Sequence, residues 1–134
     1  MIQPRVRASF EAQGLMLTLR AELIEADAGT ARIEAPIDAA VSQQHGFAHA
    51  GLTFALADSA AGYAALSVMP EGAEVLTVEM KINLLAPAAG TRLRAVGRVV
   101  RAGRRLVIVS AEAWALSGGE ARQVALLQGT MIPA

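Results

Sequence analysis

The chain has no cysteine among its 134 residues. That excludes a disulfide framework, a thiolate metal site and a cysteine nucleophile. Aromatic residues make up only 4% and charged residues 18%, and the twelve basic side chains are cancelled by twelve acidic ones. A balanced, sparse charge lacks the electrostatic footprint of a nucleic-acid-binding domain, so nucleic acid is not an expected partner. The start, Met1 to Gln13, has no apolar core of a signal peptide, and with the missing cysteines this points to a cytoplasmic protein. The apolar run from Gly51 to Met69 nears membrane-spanning length, but Asp58 interrupts it and Ala and Gly outnumber Leu and Ile, so no membrane span is expected. What the chain does have is apolar surface: 54% of residues are hydrophobic. That suffices for one core over residues 1–134, a single domain, with some surface left for a homo-oligomeric partner.

Hydrophobic periodicity divides the chain into two helical and several extended stretches. Pro4 and Gly14 bracket a short segment with Val6 and Phe10 four apart, which reads as an amphipathic helix, a lid or a cap, started by proline and stopped by glycine. Alternation from Leu15 to Glu25 and from Thr30 to Pro36, with Asp27-Ala28-Gly29 between, reads as a hairpin. A polar connection then leads to His49–Val68, alanine-rich and apolar almost all round, which predicts a helix buried on most sides and ended by Pro70 and Gly72. Three strands of period two follow, over Val75–Leu85, Thr91–Arg101 and Arg105–Leu116, with a last one from Gln123 to Ile132. In the first of them Leu76, Val78, Met80, Ile82 and Leu84 share one face, opposite Thr77, Glu79, Lys81 and Asn83. An antiparallel sheet wrapped around one long central helix is the economical way to cover such a helix, which makes the fold α+β.

Asp58 is the only charged side chain between His49 and Pro70. A buried, unpaired carboxylate costs several kcal/mol or changes its protonation state, so a core helix does not carry one idly. Either it serves chemistry, or that turn of the helix faces solvent or a subunit seam. The first N–H groups of the helix, near Ala50 and Gly51, are free donors at the positive end of the dipole and can polarise a carbonyl. Eight residues separate Ala50 from Asp58, roughly 12 Å along a helix axis. One helix cannot bring both to the same atom, but two antiparallel helices of a two-fold dimer can. His45 and His49 have a zinc-like spacing, but Gly46 disfavours helix between them and no adjacent Glu completes a zinc-protease motif, so no metal is expected. Arg98, Arg101, Arg104 and Arg105 gather about one hairpin, either as a solvated edge or as a phosphate-binding group.

The run Gln43-Gln44-His45-Gly46-Phe47-Ala48-His49-Ala50-Gly51, with Leu56-Ala57-Asp58, resembles the signature of hot-dog-fold acyl-CoA thioesterases of the PaaI (phenylacetyl-CoA thioesterase) type. The likeness continues through Val78–Pro87 and Gln128-Gly129-Thr130. It implies the hot-dog fold and hydrolysis of an acyl-CoA, aryl or short to medium chain, with coenzyme A as part of the substrate and no further cofactor. By position it implies Asp58 as general base or nucleophile, the Ala50 N–H as the group polarising the thioester carbonyl, and Gln43 as a contact to carbonyl or water. His49 is implied as an orienting residue and Thr77 as a hydroxyl holding water; Ala50 departs from the family's glycine. Gly51, Arg101 and Arg104 are assigned to substrate binding. The resemblance also implies a homodimer or a dimer of dimers with the site at the subunit interface. A non-catalytic acyl-CoA-binding module is the alternative, and a hot-dog hydratase a further rival whose motifs are not present.

Overall fold

A computed structural model describes all residues, 1–134. Two short helices, α1 (Pro4–Ala12) and α2 (Gly14–Thr18), precede the strands β1 (Glu22–Asp27) and β2 (Thr30–Pro36). A 3₁₀ turn at Ala39–Val41 leads into the long helix α3 (Ala50–Leu66). Four strands complete the chain: β3 (Val75–Leu84), β4 (Arg92–Ala102), β5 (Val107–Ser117) and β6 (Glu120–Pro133). All six strands form one antiparallel sheet in the order β1-β2-β4-β5-β6-β3, and α3 packs across it, chiefly on β4, β2, β5 and β3.

The sheet can accept α3 at close range because many of its inward side chains are alanine. Ala31, Ile33 and Ala35 of β2, Leu93 and Ala95 of β4, and Val109, Ala111 and Ala113 of β5 are buried, facing Leu56, Ala57, Ala60, Ala61, Ala64 and Ala65 of the helix. Closest approach falls at Gly97, where a Cβ would lie 2.4 Å from the Ala60 carbonyl carbon. Only a residue without a side chain fits a backbone that near. The outward face of β4 carries Arg92, Arg94 and Arg98, and Glu34 of β2 bonds Arg94 at 3.1 Å beside them.

The N-terminal segment departs from the expected pattern. Residues 14–18 are helical rather than extended, and β1 begins only at Glu22. The chain turns at Gln13, in extended backbone, and Gly14 opens α2 instead of closing α1. The alternation of Leu15 and Leu17 is real but faces solvent, while Met16 between them is buried. The Asp27-to-Gly29 hairpin is formed as expected, with Ala28 and Gly29 at positive φ. At the other end β6 is longer than expected, starting at Glu120 directly after the Gly118-Gly119 turn.

β3 carries the change that matters most. Its pairing with β6 shifts register between Thr77 and Glu79. A bulge of this kind reverses the side-chain phase along the strand. Val75 before it and Met80 and Ile82 after it pack on the core, whereas Leu76 and Val78 are more than half exposed. The single apolar face expected from Leu76 to Leu84 is therefore broken, and Thr77 is turned inward from the face that sequence alternation assigns it. β3 pairs with β6 on one side only, so its other edge is bare and flanked by exposed leucine and valine. The opposite edge strand, β1, is partly covered by a bridge from Ile2 to Ala26.

Candidate active site

Helix α3 is buried along most of its length, apart from a stripe in its N-terminal half. Ala50, Gly51 and Phe54 are exposed and Asp58 is partly so, with Ala50, Phe54 and Asp58 about one helical turn apart in succession. A carboxylate in an otherwise apolar helix is tolerated there because that side of the helix is only partly covered by the rest of the chain. Thr77 Oγ1 donates a hydrogen bond of 2.8 Å to Asp58 Oδ1. The same hydroxyl lies 3.2 Å from Met131 Sδ, but it has one hydrogen, and a carboxylate is the stronger acceptor. The bulge in β3 is what aims Thr77 at the helix. Burial raises the Asp58 carboxyl above the ordinary carboxylate value, and the Thr77 hydrogen bond offsets part of that rise. Its environment thus holds a carboxylate of increased basicity in a fixed orientation.

The start of α3 is organised by His49. In extended backbone (φ −61°, ψ 142°), it caps the helix by accepting the Gly51 N–H at Nδ1, 2.7 Å away. An imidazole that accepts at Nδ1 carries its proton at Nε2. A Cβ on residue 51 would come within 2.9 Å of that Nδ1, so glycine is required for the cap. Gly51 therefore spends its N–H on His49, and what it offers a ligand is the close approach that a missing side chain allows. The Ala50 N–H is different: no hydrogen-bond acceptor in the protein meets it. Ala50 lines a cavity of about 610 Å³ bordered also by Gln43, Phe47, His49, Leu84, Leu85 and Pro87. Gln43 uses its Oε1 to accept the His45 and Phe47 N–H groups, bracing the loop and leaving its Nε2 free.

Asp58 and Thr77 border a different cavity, about 620 Å³, that is lined on one side by α1 and shares no residue with the first. Within one chain the structure brings Gln43, His49 and Ala50 together, and separately Asp58 with Thr77. Strand register places the two groups at opposite ends of β3, since Thr77 pairs with Met131 and Leu84 with Ala125, six residues apart along β6. Arg101, Arg104 and Arg105 line a third, shallower cavity at the β4–β5 hairpin, and Arg98 lies outside it. Register puts that hairpin level with Thr77, through Ala102, Val107 and Met131, three strands away. No group of three His, Asp or Glu side chains is placed to hold a metal ion. No helix is long and apolar enough to cross a membrane. The residues that sequence alone did not single out are Ser9, Gln13, Ser59 and Tyr63, which border the Asp58 cavity from α1, the α1–α2 junction and α3; ordinary polar side chains in a helical pattern carry no signal of their own.

Residues 45–122 match the family model of the Thioesterase superfamily. Among solved structures, a thioesterase family protein from Silicibacter pomeroyi is 44% identical, with 96% of this chain and 95% of that one covered and a TM-score of 0.94. The PaaI protein of the phenylacetic acid degradation operon of E. coli is 26% identical over 96% of this chain and 89% of that one, with a TM-score of 0.83. A Bacillus halodurans protein solved with CoA is 25% identical over 97% and 87%, with a TM-score of 0.82. The match covers both the helix start and the Asp58 turn, and the sheet that carries them superposes throughout: the chain belongs to the Thioesterase superfamily, as a thioester hydrolase of hot-dog fold and PaaI type.

Proposed function

We propose that the chain hydrolyses acyl-CoA thioesters at a site completed by two copies of itself. The observation that carries this reading is the separation of an unpaired Ala50 N–H from an oriented, basic Asp58, in two cavities of one chain. A carbonyl and its attacking group must meet within about 3 to 3.5 Å, which two points roughly 12 Å apart on one helix do not allow. Antiparallel pairing of the bare β3 edge with the same edge of a second copy sets the Thr77 end of one strand beside the Leu84 end of the other. Asp58 of one copy then approaches the Ala50 turn of its partner, and the exposed Leu76, Val78 and Phe54 gain cover.

In this site the Ala50 N–H, assisted by Gln43 Nε2, draws electron density onto the thioester oxygen. Asp58 takes a proton from water as the water oxygen bonds to the carbonyl carbon. When the tetrahedral intermediate collapses, the C–S bond breaks and the thiolate takes up the proton, giving free acid and CoA. The same geometry serves a nucleophilic route, in which the carboxylate itself displaces the thiolate and water then cleaves the mixed anhydride. Thr77 orients the carboxylate in either case, and His49 fixes the helix start. Arg101 and Arg104 are suited to the CoA phosphates. Release of free thiol from a panel of aryl, short-chain and medium-chain acyl-CoAs, with Asp58→Asn alongside, tests the reading. Turnover by the parent and its near-complete loss in the variant are expected; a variant as active as the parent would remove Asp58 from the chemistry.

A further inference from the structure

The cavity beside Asp58 is bordered by α1 and α3, and the wall where these two helices meet is polar. Ser59, next to Asp58 on α3, and Gln13, at the α1–α2 junction, lie 3.3 Å apart from Oγ to Oε1. Gln13 Nε2 bonds Tyr63 Oη at 3.0 Å, and Ser9 Oγ bonds the same phenol at 3.3 Å. These four side chains own five donor hydrogens: one on each of three hydroxyls and two on the amide. Three hydrogen bonds join them, and no other acceptor in the protein takes a hydrogen from them. Two donor hydrogens are left over, whichever way the Gln13 amide is turned and whichever hydroxyl of the Ser9–Tyr63 pair donates. α1 is held down at its other end by Arg5, whose guanidinium bonds the Met69 and Pro70 carbonyls at 2.7 and 2.8 Å. The wall is therefore a fixed part of the fold.

We propose that the wall formed by Ser9, Gln13, Ser59 and Tyr63 selects acyl groups that carry an uncharged oxygen, as hydroxyl, keto or ether, a few bonds beyond the thioester carbonyl. The inference rests on Asp58 marking the reacting end of that cavity. Ser59 to Tyr63 spans roughly 6 Å of helix axis at 1.5 Å per residue, the length of a short acyl chain. Two spare donors match an acceptor oxygen, and a plain alkyl chain would strip them of water and give nothing back. A carboxylate is the wrong substituent: Asp58 and Glu74 border the cavity against Arg5 alone, two negative groups to one positive. The acyl group, short and ending inside the protein, suits a space between α1 and α3, whereas the CoA arm must continue to solvent.

The test compares kcat/KM of the full-length protein for hexanoyl-CoA, 5-hydroxyhexanoyl-CoA, 5-oxohexanoyl-CoA and glutaryl-CoA. The two neutral oxygenated substrates are expected to exceed hexanoyl-CoA about tenfold, the ratio one net hydrogen bond confers, with glutaryl-CoA the poorest. In Gln13→Met and Tyr63→Phe the ratio falls to about one; Ser59→Ala supplies a third variant should loss of the phenol disturb folding. Equal rates on hexanoyl and oxygenated substrates in the parent overturn the proposal, as does a ratio unchanged in the variants. A rise in KM that is the same for every substrate assigns the wall to the CoA arm and overturns it too. Failure of the parent to hydrolyse any of the four strikes the thioesterase reading itself, a result distinct from hydrolysis without preference.

Discussion

Replacing Ala50 by proline deletes one N–H and almost nothing else. Proline is favoured at the first position of a helix, where its missing donor has no intrahelical acceptor to serve. Ala50 occupies that position, and its N–H has no partner in the fold. The preceding residue must be extended, and His49 already is, with ψ 142°. The fold is therefore expected to hold its stability or gain up to about 1 kcal/mol, the range of proline replacements at compatible sites. Catalysis is another matter. Loss of one donor from an oxyanion-binding site costs about 10²- to 10³-fold in kcat, or about 2.7 to 4 kcal/mol. Thiol release from an acyl-CoA, read beside thermal unfolding, measures both effects. Ala50→Gly, which keeps the N–H, should stay near the parent. A folded Ala50→Pro protein with parental kcat would refute the role given to this N–H.

Three further outcomes follow from the same geometry. Thr77→Val removes the hydrogen bond that holds the Asp58 carboxyl down, so the acid limb of the kcat/KM profile, where Asp58 protonates, should move to higher pH; an unmoved limb would separate Thr77 from that ionisation. Because the folded chain raises the Asp58 pKa, its ionised form is disfavoured in the fold: no cost exists below the ordinary carboxylate value, and the cost grows as pH rises through the raised one. Asp58→Asn should thus melt above the parent at neutral pH, with the gap closing in acid, and equal melting at all pH values would contradict this. Gly97→Ala drives a Cβ into the Ala60 carbonyl and is expected to destabilise by about 1 to 3 kcal/mol in denaturant unfolding, where a neutral effect would show that α3 can move away.

Much of the architecture was legible because burial imposes a period. The helix from Ala50 to Leu66 announced itself by an alanine-rich run with one charge, and the strands β4 and β5 by alternation of small residues with arginine or polar ones. Legibility failed where a single residue resets the phase. The bulge after Thr77 leaves the sequence Leu76 to Leu84 alternating in letters while the faces exchange in space, and it is this shift that brings Thr77 to Asp58. Leu15 and Leu17 alternate as strand residues do, yet a five-residue helix with one buried methionine satisfies the same letters. At the site, the motif from Gln43 to Gly51 marked the helix start, but not that His49 consumes the Gly51 N–H and leaves the Ala50 N–H unpaired. Gln13, Ser9 and Ser59 bore no mark at all, because their meaning lies in contacts across 46 and 54 positions of chain with Ser59 and Tyr63.

The claim that one copy's Asp58 serves a carbonyl held by another copy's Ala50 can be tested with mixed dimers. Asp58→Asn and Ala50→Pro, each nearly inactive alone, are co-expressed with different affinity tags and the mixed species is isolated. In a shared site, one of its two centres carries both lesions and the other carries neither, so the mixed dimer should recover about half of the parental activity, as the pairing of two-fold related copies requires. A mixed dimer that stays as inactive as either variant would place both groups in one chain's site and contradict the account.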